Sequence, residues 1–281
     1  TKNNSTLITN CIPDLNCLDA GTQCFPLYWY EENKNKQQTL SLFDTESNDD
    51  YIRRDGITDW ILKEVRTRFG NARKITKETI FYYVYGLLHS PKYREAFAAD
   101  LKKSLPRIPI VEDIDAFLDF SYAGKQLANL HLNYEEIPAY EGVTVIGDRQ
   151  KEEAPDGRMI AGTTDLYAVK VDYKYYEVEK MRFPKKGQKD TIIYNSSIRI
   201  ENIPDEAYEY IVNGKSAIEW IMERYQIKTD KASGITNDPN DWAQEQGKPR
   251  YILDLLLSVI TVSLETMKIV GKLPKLDYYK H

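Results

Sequence analysis

The spacing of apolar residues changes twice along this chain, and that change limits the folds it can adopt. Between residues 55 and 135 apolar side chains recur at helical spacing, as at Ile57, Ile61 and Val65. Between residues 158 and 200 they alternate with polar ones and are rich in β-branched and aromatic types, which is typical of strands. Helical spacing returns between residues 203 and 271. Because the helices come in blocks, the pattern excludes a doubly wound sheet and predicts an α+β fold, with helical blocks flanking an antiparallel β-hairpin or sheet region.

Capping residues mark where the predicted helices begin. Thr58 or Asp55 precedes the first helix and Thr76 opens the second. Ser90-Pro91 opens a third helix with proline in its first turn, and we expect that helix to run to about Leu105. Further helices are predicted within residues 112–134, 204–212, 216–225 and 249–270.

Two strand-like segments enclose a short loop in the central part of the chain. Leu166–Met181 and Thr191–Ile200 both show the alternation of strands. Pro184 and Gly187, which are common turn residues, lie between them. The sequence therefore predicts a β-hairpin whose turn contains these two residues.

The N-terminal region has a different composition. Residues 1–30 are short apolar pieces broken by proline and glycine, which predicts strands and turns. Residues 31–52 are polar and are predicted to form a linker or surface loop, so the strongest candidate domain boundary lies there. The chain begins with Thr1 and not Met, which indicates a fragment of a longer protein, although N-terminal processing would give the same start.

Charge and cysteine content narrow the class of protein. The 281 residues carry a formal net charge of -5, which excludes a uniformly basic nucleic-acid coat but not a local basic patch. Cys11, Cys17 and Cys24 form an odd set without zinc-site spacing, so we expect reduced thiols in a cytoplasmic protein. No signal peptide and no apolar run long enough to span a membrane is present in the sequence, so no membrane partner is expected.

Positive charge collects around the turn of the predicted hairpin, with tyrosines on both flanks. A basic hairpin can enter the DNA major groove or bind the phosphates beside it. A second polar segment, Lys228–Trp242, carries amides and hydroxyls able to bond to base edges. A charged hairpin tip can equally be a solvated turn. The residues predicted to contact DNA are Lys180, Arg182, Lys185, Lys186, Lys189, Tyr194, Asn195, Lys228, Lys231 and Asn237.

Motifs for catalysis are weak. The sequence has neither a glycine-rich phosphate loop nor a nucleophile elbow, and His89 and His131 lie in apolar helical segments, where histidine is usually structural. Asn237-Asp238-Pro239-Asn240 is similar to part of the amino-methyltransferase motif but lacks its second proline and its aromatic residue. A turn or helix cap before Trp242 is the better interpretation. We therefore predict no catalytic and no metal-binding residues in this chain.

A metal-dependent nuclease is the alternative enzyme hypothesis. Pro155-Asp156 followed by Asp172-Tyr173-Lys174 has the order of PD…(D/E)xK nucleases. In such sites carboxylates hold Mg²⁺ and lysine orients water. Asp156, Asp172 and Lys174 would take these roles here, although the same charges could pair across an exposed hairpin face.

Several long stretches of this sequence carry a resemblance to one protein family. They are ITDWILKEVRTRF (57–69), ITKETIFYYVYGLLHSPKYREAFAADLKKSLPRIP (75–109), AGKQLANLHLNYE (123–135), VEKMRF…TIIYN (178–195) and IPDEAYEYIVNGKSAIEWIMERYQIKTDKASGITNDPNDW (203–242). Together they resemble the C-terminal target recognition region of Type ISP restriction–modification enzymes. The N-terminal piece IPDLNCLDAGTQCFPLYWYE (12–31) is similar to the segment that joins the methyltransferase of that family to this region.

The resemblance implies a division into residues 1–52, which would join to an upstream methyltransferase, and 53–281, the target recognition domain. It implies sequence-specific recognition of double-stranded DNA without catalysis in this chain, which would position an adenine methyltransferase domain of the same polypeptide. S-adenosylmethionine, ATP and magnesium would be bound by other domains of an ATP-dependent restriction enzyme. A protein-interaction role, with the helical block 57–134 docking onto the parent enzyme, is a further alternative.

Overall fold

The computed structural model describes residues 5–17, 21–33, 50–148 and 173–277. The chain divides into two compact units, which we call unit 1 (Thr1–Asn129 and Lys272–His281) and unit 2 (Leu130–Gly271). Helices are combined with small antiparallel sheets, and this confirms the predicted α+β class. The predicted division between residues 1–52 and 53–281 falls within a strand of unit 1. It concerns the connection of this chain to another domain, and it stays a prediction.

Over its described residues, unit 1 is a helical block with one β-hairpin. Strand β1 pairs antiparallel with β2, with Tyr28 opposite Asp55. Helices follow the strands along the chain. The last of them begins in unit 1 and ends at Leu132, which is assigned to unit 2. The elements are β1 (Tyr28–Glu32), β2 (Tyr51–Asp55), α1 (Asp59–Arg68), α2 (Lys77–His89), α3 (Pro91–Ala96) and α4 (Ile114–Leu132).

The predicted capping residues begin three of these helices. The Thr58 hydroxyl accepts from the Ile61 backbone N–H at 3.3 Å. Thr76 and Thr79 form a capping box at the start of α2. Ser90 caps α3, with Pro91 in the first turn. These helix starts are confirmed, because a cap is a local interaction that the sequence shows directly.

Helix α3 is shorter than predicted, since it ends at Ala96 and not near Leu105. The chain continues in tight turns, in which the Asp100 N–H donates to the Phe97 carbonyl at 3.0 Å. Phe97 and Leu101 still pack against the core of unit 1. Their apolar spacing, which favoured a helix, is thus satisfied by turns.

The core of unit 1 depends on a close crossing of α2 and α4. Tyr83 stacks on Phe117 with 4.2 Å between ring centroids. At the crossing, a Cβ on Gly124 would lie 1.9 Å from the Tyr82 carbonyl oxygen. Only glycine permits so close an approach of the two helices. The same holds for Gly86 on α2, where a Cβ would lie 2.2 Å from a backbone oxygen.

Unit 2 surrounds the long C-terminal helix α8 with short strands and helices. Among the described residues of this unit, a three-stranded sheet has the order β3-β5-β4, and β6–β7 and β8–β9 are separate hairpins. The core joins Leu253, Leu256 and Ile260 of α8 to Ile192 and Ile200 of the sheet. The elements are β3 (Thr144–Ile146), α5 (Tyr173–Tyr176), β4 (Ile192–Ile193), β5 (Arg199–Glu201), a 3-10 helix (Asp205–Tyr208), β6 (Ile211–Val212), β7 (Lys215–Ser216), α6 (Ala217–Arg224), β8 (Lys228–Thr229), β9 (Thr236–Asn237), α7 (Pro239–Glu245) and α8 (Tyr251–Gly271).

The predicted strands of unit 2 are partly wrong. The first part of Leu166–Met181 lies outside the described residues, and Tyr173–Tyr176 forms a helical turn. The second, Thr191–Ile200, is a hairpin and not one strand. Asn195 causes the reversal, because its Oδ1 accepts the N–H groups of Ser197 at 2.9 Å and Ile198 at 2.8 Å.

One predicted helix of unit 2 is also wrong, and the other two are present near their predicted positions. The segment 204–212 forms only the 3-10 helix and then β6. Helix α6 begins as predicted, with Ser216 as its cap, and α8 extends to Gly271. Within the described ranges, no helix has the length and apolar content to cross a membrane.

Candidate nucleic-acid interface

The loop 182–193, which we call the basic loop, is closed by one antiparallel β-bridge. The Arg182 N–H donates to the Ile193 carbonyl at 3.1 Å, and the Ile193 N–H donates back at 2.8 Å. Gly187 adopts a φ of 84° at the turn, a conformation that favours glycine. Lys185 and Lys186 are exposed on this loop. The predicted chain reversal with lysines at its tip is therefore present, although its strands differ from those predicted.

Lys189 anchors the basic loop to helix α6. Its Nζ lies 2.9 Å from Glu219 Oε1 and 5.1 Å from the ring centroid of Tyr208. Glu219 also accepts from the Ser216 hydroxyl at 2.7 Å. Burial alone would raise the pKa of Glu219, but the hydrogen bonds from Ser216 and Lys189 outweigh it and lower this pKa. The predicted DNA contact Lys189 therefore has a structural role in fixing the loop.

An open groove of about 660 Å³, which we call the basic groove, lies beside the loop. It brings together Lys180, Lys228 and Asn237, three residues predicted to contact DNA. Four cations and two carboxylates line it, so its charge is positive. These charged residues are Lys180, Lys215, Glu219, Glu223, Arg224 and Lys228.

Trp220 positions two cations of the basic groove that the sequence did not reveal as candidates. Lys215 Nζ lies 4.9 Å and Arg224 Cζ 5.0 Å from its ring centroid. The Trp220 indole N–H donates to the Val212 carbonyl at 2.6 Å, which fixes the ring. The sequence did contain one sign of this arrangement, because Trp220 and Arg224 are four residues apart in a predicted helix, a spacing that brings two side chains together.

Long-range hydrogen bonds place the groove residues side by side. The Ile227 N–H donates to the Glu179 carbonyl at 2.9 Å. Asn240 accepts from the Val178 N–H at 2.9 Å and donates to the Val178 carbonyl at 3.0 Å. Residues 178–179 are thus bonded to both ends of the β8–β9 segment, and this holds Lys180 next to Lys228.

The hairpin β8–β9, Lys228–Asn237, which we call the ribbon, is exposed at every residue. Its register pairs Lys228 with Asn237 and Thr229 with Thr236. Asp230 orders the tip by accepting from the Ser233 N–H at 2.8 Å, and this bond lowers the pKa of Asp230. The ribbon is therefore a defined hairpin that presents polar side chains to solvent, including Lys231.

Two predicted contacts are corrected by the structure. Tyr194 is 0% exposed, and its hydroxyl donates to the Tyr176 carbonyl at 2.9 Å. Asn195 donates to the Tyr175 and Glu177 carbonyls at 2.9 and 3.0 Å, besides forming the turn after it. Because these groups are used within the fold, we exclude both from the interface.

The Asn237-Asp238-Pro239-Asn240 motif is a helix cap, as the simpler interpretation predicted. Asp238 is the N-cap of α7, and its Oδ1 accepts from the Asn240 backbone N–H at 2.9 Å. His131 is likewise structural, with its Nε2 at 2.9 Å from the Thr266 hydroxyl. The buried His89 ring contacts the Tyr85 carbonyl through Nδ1 at 2.8 Å.

The alternative nuclease site falls largely outside the described residues. Asp156 and Asp172 belong to that part, and Lys174 is described as an exposed residue. Across the described residues, no group of three or more His, Cys, Asp or Glu side chains could hold a metal ion. The nuclease hypothesis therefore stays a prediction.

Solved structures provide three comparisons. The ATP-dependent Type ISP restriction-modification enzyme LlaBIII bound to DNA is 41% identical, with a TM-score of 0.75, over 98% of this chain and 15% of that one. A nuclease-deletion mutant of the Type ISP enzyme LlaGI, in complex with a DNA substrate mimic, is 42% identical, with a TM-score of 0.60, over 81% and 14%. The protein chain of the DrdV–DNA complex is 28% identical in sequence, with a TM-score of 0.72, over 97% of this chain and 23% of that one.

This chain thus spans less than a quarter of the length of each of these three proteins. No curated protein matches it. The family model of the Type ISP C-terminal specificity domain matches residues 1–255. The resemblance found in the sequence is confirmed, and the chain belongs to the Type ISP C-terminal specificity domain family.

Proposed function

We propose that this chain is a sequence-specific DNA recognition module, which holds a duplex in register for an adenine methyltransferase domain of the same polypeptide. The basic groove carries this proposal. It concentrates Lys180, Arg224 and Lys228 on one face of a chain whose net charge is -5. Cations in such an arrangement neutralise phosphates and release condensed counterions, which is the main source of non-specific affinity for DNA.

The comparisons support duplex DNA as the partner. The similar LlaBIII structure is described as bound to DNA, and the LlaGI structure as a complex with a DNA substrate mimic. The specificity-domain family is consistent with a role in choosing a target. A methyltransferase must extrude its target base, so a separate module that fixes the flanking duplex has a clear physical purpose.

Exposure and position assign different roles to the retained residues. Phosphate contacts fix the register of a protein on DNA, and base contacts specify the sequence. We assign phosphate contacts to the exposed cations beside the groove and on the loop, and base contacts to the polar ribbon. The phosphate-contacting residues are Lys180, Arg182, Lys185, Lys186, Arg224 and Lys228, and the base-contacting candidates are Lys231 and Asn237.

Catalysis would belong to other parts of the polypeptide. We propose that S-adenosylmethionine, ATP and magnesium are bound by those parts, in an enzyme with ATP-dependent restriction activity. The similar LlaBIII is described as an ATP-dependent restriction-modification enzyme, which supports this division. We also propose a cytoplasmic location, since Cys11, Cys17 and Cys24 are exposed free thiols, a state typical of a reducing compartment.

Docking onto the methyltransferase is a second, compatible role for unit 1. Trp60 on α1 is 69% exposed, and Trp29, Tyr30 and Tyr51 of the β1–β2 hairpin are exposed too. Exposed aromatic side chains of this kind are frequent at protein interfaces. A Trp60→Ser, Tyr30→Ser variant should bind the separately produced methyltransferase part of the polypeptide more weakly than the parent chain does. Unchanged association would remove this surface from the interface.

A salt series tests the DNA proposal. Fluorescence anisotropy of a labelled mixed-sequence duplex gives the affinity of the chain at each salt concentration. Lys185→Glu with Lys186→Glu should weaken binding to all sequences and flatten the slope of log K against log salt by about 1.8, which is about 0.9 per lost phosphate contact. Lys248→Glu with Lys272→Glu makes the same charge change at exposed residues outside the loop and groove.

The two double variants separate local contacts from net charge. If both weaken binding equally, the basic loop is not a contact site and the attraction is only global. If the parent chain binds no duplex even at low salt, DNA recognition by this chain is refuted.

A further inference from the structure

We infer that the ribbon enters the major groove and sets the target sequence, while the cations of the basic groove and the basic loop bind phosphates without selecting bases. This inference rests on the proposed function and assigns specificity to one ten-residue element. Neither family membership nor overall charge identifies that element, because both apply to the whole chain.

The ribbon has the dimensions and exposure that groove entry requires. Two antiparallel strands lie about 4.8 Å apart, so a hairpin with side chains fits a major groove about 12 Å wide. Every residue of the ribbon is exposed, and Ile235 near its tip is 69% exposed. An apolar side chain held in solvent at a hairpin tip matches the apolar C5-methyl group that thymine presents in the major groove.

The ribbon is also ordered without DNA. The hydroxyls of Thr229 and Thr236 lie 2.8 Å apart across the strands. Asp230 accepts from the Ala232 N–H at 3.1 Å and from the Ser233 hydroxyl at 2.9 Å, while Gly234 takes a φ of 70°. A preorganised element loses less conformational entropy on binding, which favours accurate discrimination between bases.

The alternation of the strands divides the ribbon into two faces. Thr229 and Thr236 bond to each other, so their side chains share one face. Lys228 and Asn237 oppose each other in the register and share the other face, which lines the basic groove. A phosphate-binding cation thus lies next to an amide that can bond in bidentate fashion to adenine N6 and N7.

Lys231 supplies the second base-contacting group, at the tip of the ribbon. A lysine ammonium bonds to O6 and N7 of guanine, the acceptor pair that marks this base in the major groove. We therefore expect adenine and guanine at separate positions of the target, contacted by Asn237 and Lys231 respectively. Loss of a good base contact should reduce discrimination at its position by about 5- to 150-fold.

Selection from a randomised duplex library, followed by sequencing of the bound DNA, tests this inference. The parent chain should enrich one motif. Asn237→Ala and Lys231→Ala should each relax that motif at one or two positions, while Lys185→Glu with Lys186→Glu should lower affinity and keep the motif. An unchanged motif in both ribbon variants would overturn the inference and leave the proposed function intact.

The groove is tested separately with modified bases. Replacing purines of the enriched motif by their 7-deaza analogues removes the N7 acceptor, which only the major groove presents. The parent chain should lose affinity at the positions assigned to Asn237 and Lys231, and each alanine variant should be insensitive at its own position. Full affinity for the 7-deaza duplex would overturn major-groove entry. No enriched motif from the parent chain would refute the proposed function itself, and the inference with it.

Discussion

Replacing Asn240 by alanine should destabilise unit 2, although the residue belongs to a motif that could be mistaken for a catalytic one. The Asn240 amide accepts from the Val178 N–H at 2.9 Å and donates to the Val178 carbonyl at 3.0 Å. Asn240 is 4% exposed and Val178 is buried completely. Alanine would leave both backbone groups of Val178 buried without these partners.

The expected loss follows from those two groups. Each buried polar group without a partner costs about 1–3 kcal/mol. A small cavity of about 10 Å³ borders Asn240, and a water entering the enlarged space would restore part of the bonding. We therefore expect the free energy of unfolding of unit 2 to fall by about 2–4 kcal/mol.

Urea unfolding followed by tryptophan fluorescence measures the loss, with Trp220 and Trp242 as probes within unit 2. Hydrogen exchange of the peptide containing Val178 supplies a local measurement, since its N–H is protected by the Asn240 bond. Asn237→Ala is the matched control, because Asn237 is exposed and should change stability by less than about 0.5 kcal/mol. If Asn240→Ala changes the free energy of unfolding no more than this control does and leaves the exchange of the Val178 peptide unchanged, the Asn240–Val178 bonds do not stabilise unit 2.

Two further predictions concern packing and pH. Gly124→Ala would place a Cβ 1.9 Å from the Tyr82 carbonyl oxygen, so calorimetry should show that the free energy of unfolding falls by about 1–3 kcal/mol or more. Gly271→Ala is the control, because its Cβ would meet open space and should not lower the free energy of unfolding. Burial raises the pKa of Glu219 in the folded state, but the hydrogen bonds from Ser216 and Lys189 outweigh burial, so the folded pKa is lowered. The stability that Glu219 contributes is therefore fully present above its unfolded pKa near 4.5. This contribution is lost as the pH falls through the folded pKa. Unfolding curves recorded as the pH is lowered from about 6 through the unfolded pKa should show a smaller acid-induced loss of stability for Glu219→Gln than for the parent chain. Identical losses would exclude this linkage.

The sequence by itself determined the local features of this protein. Thr58, Thr76, Ser90 and Ser216 begin helices because a cap involves only a few neighbouring residues, which the sequence shows directly. The block order of helices and strands fixed the α+β class, and long ordered stretches identified the family. Lysines 185 and 186 were correctly expected at an exposed turn.

Only the tertiary structure decided which residues share a surface. Lys180 and Lys228 line the same groove because Asn240 bonds to Val178, 62 residues away, and because the Ile227 N–H bonds to the Glu179 carbonyl. Other contacts between distant segments bury Tyr194, whose hydroxyl bonds to the Tyr176 carbonyl, and pair Lys189 with Glu219, which no local pattern indicates. Periodicity and capping report interactions within about one helical turn or one strand pair. The basic groove is made by hydrogen bonds and packing between distant segments, so its composition appears only once the chain has folded.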